Sequence, residues 1–128
     1  MNDLSAIVLA GGRGERMRSN LPKVLHKLNG KPLIFWTLEL LGKLGVEKTV
    51  LVTGYQSSVV KDAVSRNGFN VAFTKQRKPL GTANAVKIGL KKIPKRLKNV
   101  LVIYGDDSCL YKPITLRKMI NRHQKEKN

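Results

Sequence analysis

Four short apolar runs punctuate the chain, Ala6 to Ala10, Thr49 to Thr53, Asn70 to Thr74 and Val100 to Tyr104, and no other feature constrains the fold so tightly. Each is bounded by turn residues and rich in β-branched or aromatic side chains, the pattern of strands buried on both faces. The segments between them carry helical spacing. Pro32 suits a first helical turn, with Leu33, Trp36, Leu40 and Leu44 on one side before Gly45 ends the run. Ser57 or Ser58 caps a second helix carrying Val59, Val60, Ala63 and Val64, which Asn67 and Gly68 stop. Thr82 caps a third, whose buried stripe is Val86, Gly89, Leu90 and Ile93 ahead of Pro94. A fourth runs from about Pro113 and uses Leu116, Met119 and Ile120. Strands alternating with helices predict an α/β fold, a parallel sheet with helices on both faces. A chain of 128 residues has room for one such domain.

In sheets of this kind ligands sit beyond the carboxyl ends of the strands. Those ends are four loops, Gly11 to Met17, Gly54 to Gln56, Lys75 to Gly81 and Gly105 to Leu110, and three of them hold chemically suggestive residues. The first reads Leu9-Ala10-Gly11-Gly12-Arg13-Gly14-Glu15-Arg16-Met17, followed by Leu21-Pro22-Lys23. Glycines directly after a buried strand let main-chain N–H groups approach a phosphate, and Arg16 and Lys23 add mobile positive charge. This phosphate cradle fits neither of two familiar patterns. Met17 stands where a dinucleotide fingerprint needs a third small residue, and no Gly-Lys-Ser/Thr follows Gly11 as a P-loop requires.

The second signal is Gln76 with Pro79-Leu80-Gly81-Thr82-Ala83-Asn84-Ala85. A glutamine amide offers a donor and an acceptor to a pyrimidine edge, and Gly81 lets a base pack against the main chain. Gly-Thr is equally a routine helix start. The third signal is Tyr104-Gly105-Asp106 at the end of the last strand. Asp106 is well placed there to hold Mg²⁺, which demands oxygen ligands and takes few of them from protein. Asp107 is expected to face solvent or to cap the loop.

Charge bears on what kind of phosphate is bound. Lys+Arg 25 against Asp+Glu 8 gives a formal net charge of +17, which attracts polyanions. The lysines scatter over helix faces (Lys87, Lys91, Lys92) and loops (Lys75, Lys78), and aromatic residues make up only 5%, so no basic stripe beside stacking rings speaks for nucleic acid. The expectation is a lysine-rich solvated surface that also serves phosphorylated substrates. Cys109 is the only cysteine, which excludes an intramolecular disulfide and a cysteine-built zinc centre. No apolar stretch approaches the roughly 20 residues of a membrane span, and Met1 to Leu9 has no basic leader, so no membrane span and a cytoplasmic location are expected. His26, His123, Trp36, Tyr55 and Cys109 lack the convergent partners of a site and read as structural.

The run from Ile7 to Pro32 contains the glycine loop, then Leu21-Pro22-Lys23-Val24-Leu25-His26 and Gly30-Lys31-Pro32. It closely resembles the bacterial N-acetylglucosamine-1-phosphate uridyltransferases, a branch of the sugar nucleotidyltransferases. The resemblance implies a Rossmann-like nucleotide-diphospho-sugar transferase fold, truncated, with residues 1–128 as the N-terminal nucleotide-binding half and a single domain. It implies a Mg²⁺-dependent transfer in which UTP and N-acetylglucosamine-1-phosphate, a sugar-1-phosphate, give UDP-N-acetylglucosamine and pyrophosphate. Leu9, Ala10, Gly11, Gly12 and Gly14 would then hold the nucleotide, Arg16 and Lys23 neutralise the phosphates, Gln76, Gly81 and Thr82 meet uracil, and Asp106 hold the metal. Three departures stand out: Glu15 where threonine is commoner, Pro79 and Asn84 where glutamine and histidine are, and Asp107-Ser108-Cys109 after the aspartate. The family's catalytic domain is about twice this length. Self-association, or completion by a missing C-terminal half, is therefore expected. Two other classes stay open, a catalytically incomplete nucleotide-binding or regulatory module and, less favoured, a nucleic-acid-binding protein.

Overall fold

A computed structural model gives the fold, and it describes residues 3–12, 20–107 and 111–126. The chain begins with strand β1 (Leu4–Ala10) and, after a 3-10 turn at Lys23–Leu25, makes a two-residue hairpin from β2 (Lys27–Leu28) and β3 (Lys31–Pro32). Helix α1 (Leu33–Lys43), strand β4 (Lys48–Thr53), helix α2 (Ser57–Arg66) and strand β5 (Ala72–Lys75) follow. Helix α3 (Thr82–Leu90), strand β6 (Asn99–Tyr104) and helix α4 (Pro113–Glu126) complete the order. The main sheet runs β5-β4-β1-β6, and every neighbouring pair in it is parallel. Ile7 is paired with Val50 on one side and Val102 on the other.

All seven residues of β1 are buried, as a central parallel strand covered on both faces requires. Alternate side chains go to opposite faces. Leu4, Ala6, Val8 and Ala10 join a core with Ile34, Leu38 and Leu41 of α1, Val60 and Val64 of α2, and Leu116 and Ile120 of α4. Ile7 and Leu9 turn the other way and pack with Val52 and with Ala85 of α3. Helices therefore cover both faces, as the alternation of elements predicts.

The element order agrees with the sequence reading, but several buried faces are turned. In α1 the buried set is Ile34, Thr37, Leu38, Leu40 and Leu41, not the expected stripe through Leu33 and Trp36. Trp36 is half-buried rather than core: its indole N–H points at the Leu28 and Lys31 carbonyls, and the Lys31 ammonium lies 3.9 Å from the ring centroid. Gln56 and Gly81 take the cap positions expected of Ser57 and Thr82, each with no side-chain cap bond. On α3 the buried residues are Ala85 and Gly89, while Leu90 is exposed; on α4 Met119 is 60% exposed. Leu116 and Ile120, four apart, are the two residues that seat α4, and Met119 lies beyond the edge of that narrow stripe. Among the described residues no helix is long and apolar enough to cross a membrane.

Candidate functional site

The parallel sheet delivers its loops to one end, and a cleft of about 350 Å³ opens there. Leu9, Ala10, Gly11 and Gly12 form one wall at the end of β1, and Lys23 and Val24 of the 3-10 turn stand beside them. Gln76 comes from the end of β5, Gly81, Thr82 and Ala85 from the start of α3, and Tyr104 and Asp106 from the end of β6. Val52 and Pro79 complete the lining. Segments up to 97 residues apart in sequence, Leu9 to Asp106, thus meet in one concavity.

Close backbone approach shapes the side of the cleft at the ends of β1 and β4. A Cβ on Gly54 would stand 3.2 Å from both Cα and O of Gly11, so β1 and β4 leave the sheet nearly touching. Tyr55 N–H also donates to the Gly11 carbonyl at 3.4 Å. Gly54 went without a role in the sequence reading, although its position directly after a buried strand matches that of Gly11. Tyr55 itself turns away, its hydroxyl donating to Asn20 O at 3.3 Å, in keeping with a structural part.

Gln76 spans the side of the cleft between β5 and α3. Its main-chain N–H extends the β4 ladder to Thr53 O (2.8 Å), and its side-chain Nε2 donates to Gly81 O at 3.1 Å. That bond fixes the amide plane, leaving one N–H and a carbonyl oxygen for a ligand edge. Thr82 Oγ1 and the Tyr104 hydroxyl lie 3.1 Å apart across the cleft. In the sequence only its position at a strand end marks Tyr104.

The charged corner is built from below. Gly105 N–H donates to Leu9 O at 2.9 Å, and Thr37, wholly buried on α1, donates from Oγ1 to Gly105 O at 2.8 Å. The turn held in this way presents Asp106, whose side chain is only 10% exposed and whose Oδ2 lies 2.7 Å from Lys23 Nζ, itself 49% exposed. Asp107 is exposed, as expected. Of the residues singled out in the sequence, Leu9, Ala10, Gly11, Gly12, Lys23, Gln76, Gly81, Thr82 and Asp106 are brought together. Gly14, Glu15, Arg16, Met17 and Cys109 lie outside the described residues. His26 is not among the residues that line the cleft; its Nε2 is buried with no hydrogen-bond partner among the described residues.

Residues 6–128 match the family described as the MobA-like NTP transferase domain. The chain belongs to that family. The bifunctional protein GlmU of Geobacter metallireducens is 39% identical over 123 residues, a match covering 96% of this chain and 25% of that protein. Among solved structures, HddC from Yersinia pseudotuberculosis complexed with GMP-PN superimposes with a TM-score of 0.79 at 29% identity, covering 93% of this chain and 53% of that one. A Methanothermobacter nucleotidyl transferase gives 0.76 at 28% identity over 92% and 56% of the two chains. The chain thus spans a quarter of the curated relative's length and little more than half of each structural neighbour's. The GlmU relatives agree with the resemblance drawn from Ile7 to Pro32.

Proposed function

We propose that the cleft binds a nucleoside triphosphate, UTP in preference, and serves the transfer of its nucleotidyl group to N-acetylglucosamine-1-phosphate. One observation carries the reading: the glycine wall, the Gln76–Gly81 pair and the Lys23–Asp106 corner share a single concavity at the carboxyl ends of the strands. In the proposed reaction an oxygen of the sugar phosphate attacks the α-phosphorus, the bond from that phosphorus to the β-bridging oxygen breaks, and pyrophosphate leaves with the electron pair. No covalent enzyme intermediate is needed, so the task is orientation and charge neutralisation. Main-chain N–H groups of Gly11 and Gly12 approach the phosphates, Lys23 neutralises them, and Gln76 with Gly81 meets the base edge. Arg16 adds a second cation by the sequence resemblance.

The corner at Asp106 suits a divalent cation. Its carboxylate already takes the Lys23 ammonium as a cationic partner, and among the described residues no group of three or more acidic, histidine or cysteine side chains converges. A site with one carboxylate suits Mg²⁺, which keeps waters and substrate oxygens as its other ligands. When bound there it would withdraw charge from the phosphate oxygens. A subunit-to-subunit contact, or a further segment beside β6, is proposed to complete the acceptor side.

Calorimetry with the four nucleoside triphosphates and Mg²⁺, followed by pyrophosphate release on adding N-acetylglucosamine-1-phosphate, tests the reading. UTP is expected to bind tightest, and the isolated 128 residues are expected to bind it with little turnover, because orienting an acceptor is worth about 7–11 kcal/mol of barrier. Preference for GTP, as the guanine-nucleotide complex of the HddC neighbour would suggest, would replace the base assignment and leave the phosphate cradle standing.

A further inference from the structure

The Lys23–Asp106 pair joins the two groups that the proposed function needs for different partners, the lysine for phosphate and the carboxylate for metal. Their separation of 2.7 Å is that of a charge-assisted hydrogen bond, so the ammonium covers an oxygen a divalent cation would take. The partners differ in freedom. Asp106 is nearly buried and sits on a turn clamped from below by Leu9 and Thr37, whereas Lys23 is half-exposed and its stem can swing. A bare divalent cation approaching Asp106 must therefore displace a like charge from this 2.7 Å contact. A cation carried on a triphosphate brings the phosphate oxygens that re-pair the lysine in the same event.

We propose that Lys23 makes Asp106 a conditional metal ligand, closed to free divalent metal and open to metal that arrives with a triphosphate. The inference rests on Asp106 as the metal ligand of the proposed function. Because the lysine changes partner, metal and triphosphate strengthen each other's binding, and the coupling is reciprocal. Lys23 is thereby a specificity-determining residue for the form of nucleotide accepted.

Binding of Mn²⁺ to the full chain, read by electron paramagnetic resonance and calorimetry with and without UTP, tests this in the wild type, Lys23→Met, Lys23→Arg, Asp106→Asn and the Lys23→Met/Asp106→Asn double variant. A neighbouring opposite charge alters a carboxylate's affinity for a competing cation by about tenfold or more. Lys23→Met is accordingly expected to bind free Mn²⁺ about tenfold tighter than wild type and to lose most of the enhancement by UTP, while Lys23→Arg stays near wild type. Adding Asp106→Asn is expected to abolish the gain. Circular dichroism confirms that each variant is folded, which a half-exposed lysine permits. Should Lys23→Met bind free Mn²⁺ no tighter than wild type while Asp106→Asn lowers metal binding with UTP present, the conditional ligand is overturned and the metal assignment survives. If Asp106→Asn leaves Mn²⁺ binding unchanged in every background, the metal assignment itself fails and takes this inference with it.

Discussion

Gly105 and Thr37 decide where Asp106 stands. A Cβ on Gly105 would lie 2.8 Å from Ile34 Cδ1 and 3.1 Å from Val24 Cγ1, and Ile34 is fully buried, so neither neighbour has solvent to move into. Gly105→Ala is expected to cost about 1–3 kcal/mol by overpacking and to shift the carboxylate. Thr37→Val keeps the shape and deletes the donor to Gly105 O, leaving a buried carbonyl unsatisfied at about 1–3 kcal/mol. Thr37→Ser restores the hydroxyl and is expected to recover most of that loss. Chemical denaturation of the three variants checks the order, and equal stability of Thr37→Val and wild type would remove the threonine from the account. Nothing in the sequence pointed to Thr37, because a threonine in an apolar helical stripe looks like a neutral filler until its partner, 68 residues away, is known.

Among the elements, the strands were the most legible and helix faces the least. A parallel strand buried on both sides, as β1 is, must be a nearly continuous apolar run, and β1, β4 and β6 all stand within two residues of the runs that announce them. Helix α1 reads LIFWTLELLGK, apolar around most of its circumference, so periodicity alone does not choose its buried side. The β2–β3 hairpin had a signal that went unread: Asn29-Gly30 joins the strands, and both residues have positive φ (52° and 78°), as the tight hairpin turns that favour Asn-Gly require. Of the candidate site, Gly11, Gly12, Gln76, Gly81 and Asp106 were legible as cleft residues because chemistry and strand ends coincide. Gly54 and Tyr104 also stand at strand ends, but the close backbone approach and the cross-cleft pairing that give them a part depend on segments distant in sequence. The start of α3 supplies an element-scale prediction. Gly81 has φ 97° and ψ 174°, a region nearly reserved for glycine, and its carbonyl holds Gln76. Gly81→Ala is expected to cost about 1–3 kcal/mol and, under the proposed function, to weaken UTP more than inorganic pyrophosphate, because the proposed base contact is disturbed and the Gly11–Gly12 wall is not. Equal losses for both ligands would detach Gly81 from the base.

For the whole molecule, two features oppose each other. Strand β6 ends the sheet and pairs with β1 alone among the described strands, and Val102 and Tyr104 on it are 41% and 49% exposed. Such an edge favours pairing with another chain. A net charge of +17 acts against it, since acids are too few to offset the cations. One acid that does so is Glu47, which hydrogen-bonds the Arg96 guanidinium and by that bond and its charge raises the arginine's pKa. Screening sets the balance. The Debye length shrinks from about 30 Å at 0.01 M salt to about 10 Å at 0.1 M, so repulsion between approaching copies fades over that range while edge pairing and apolar contact do not. The chain is therefore expected to sediment as a monomer at low salt and to associate as salt rises, with thermal stability rising in parallel as repulsion within each copy is screened. Val102→Lys, which adds a charge beside the open edge, is expected to shift association to higher salt without lowering UTP affinity, as position 102 does not line the cleft. Analytical ultracentrifugation across a salt series reads the outcome. A monomer at every salt and protein concentration would mean that β6 is protected by its own charge, and the acceptor side would then have to be completed by a further segment instead of by a second copy.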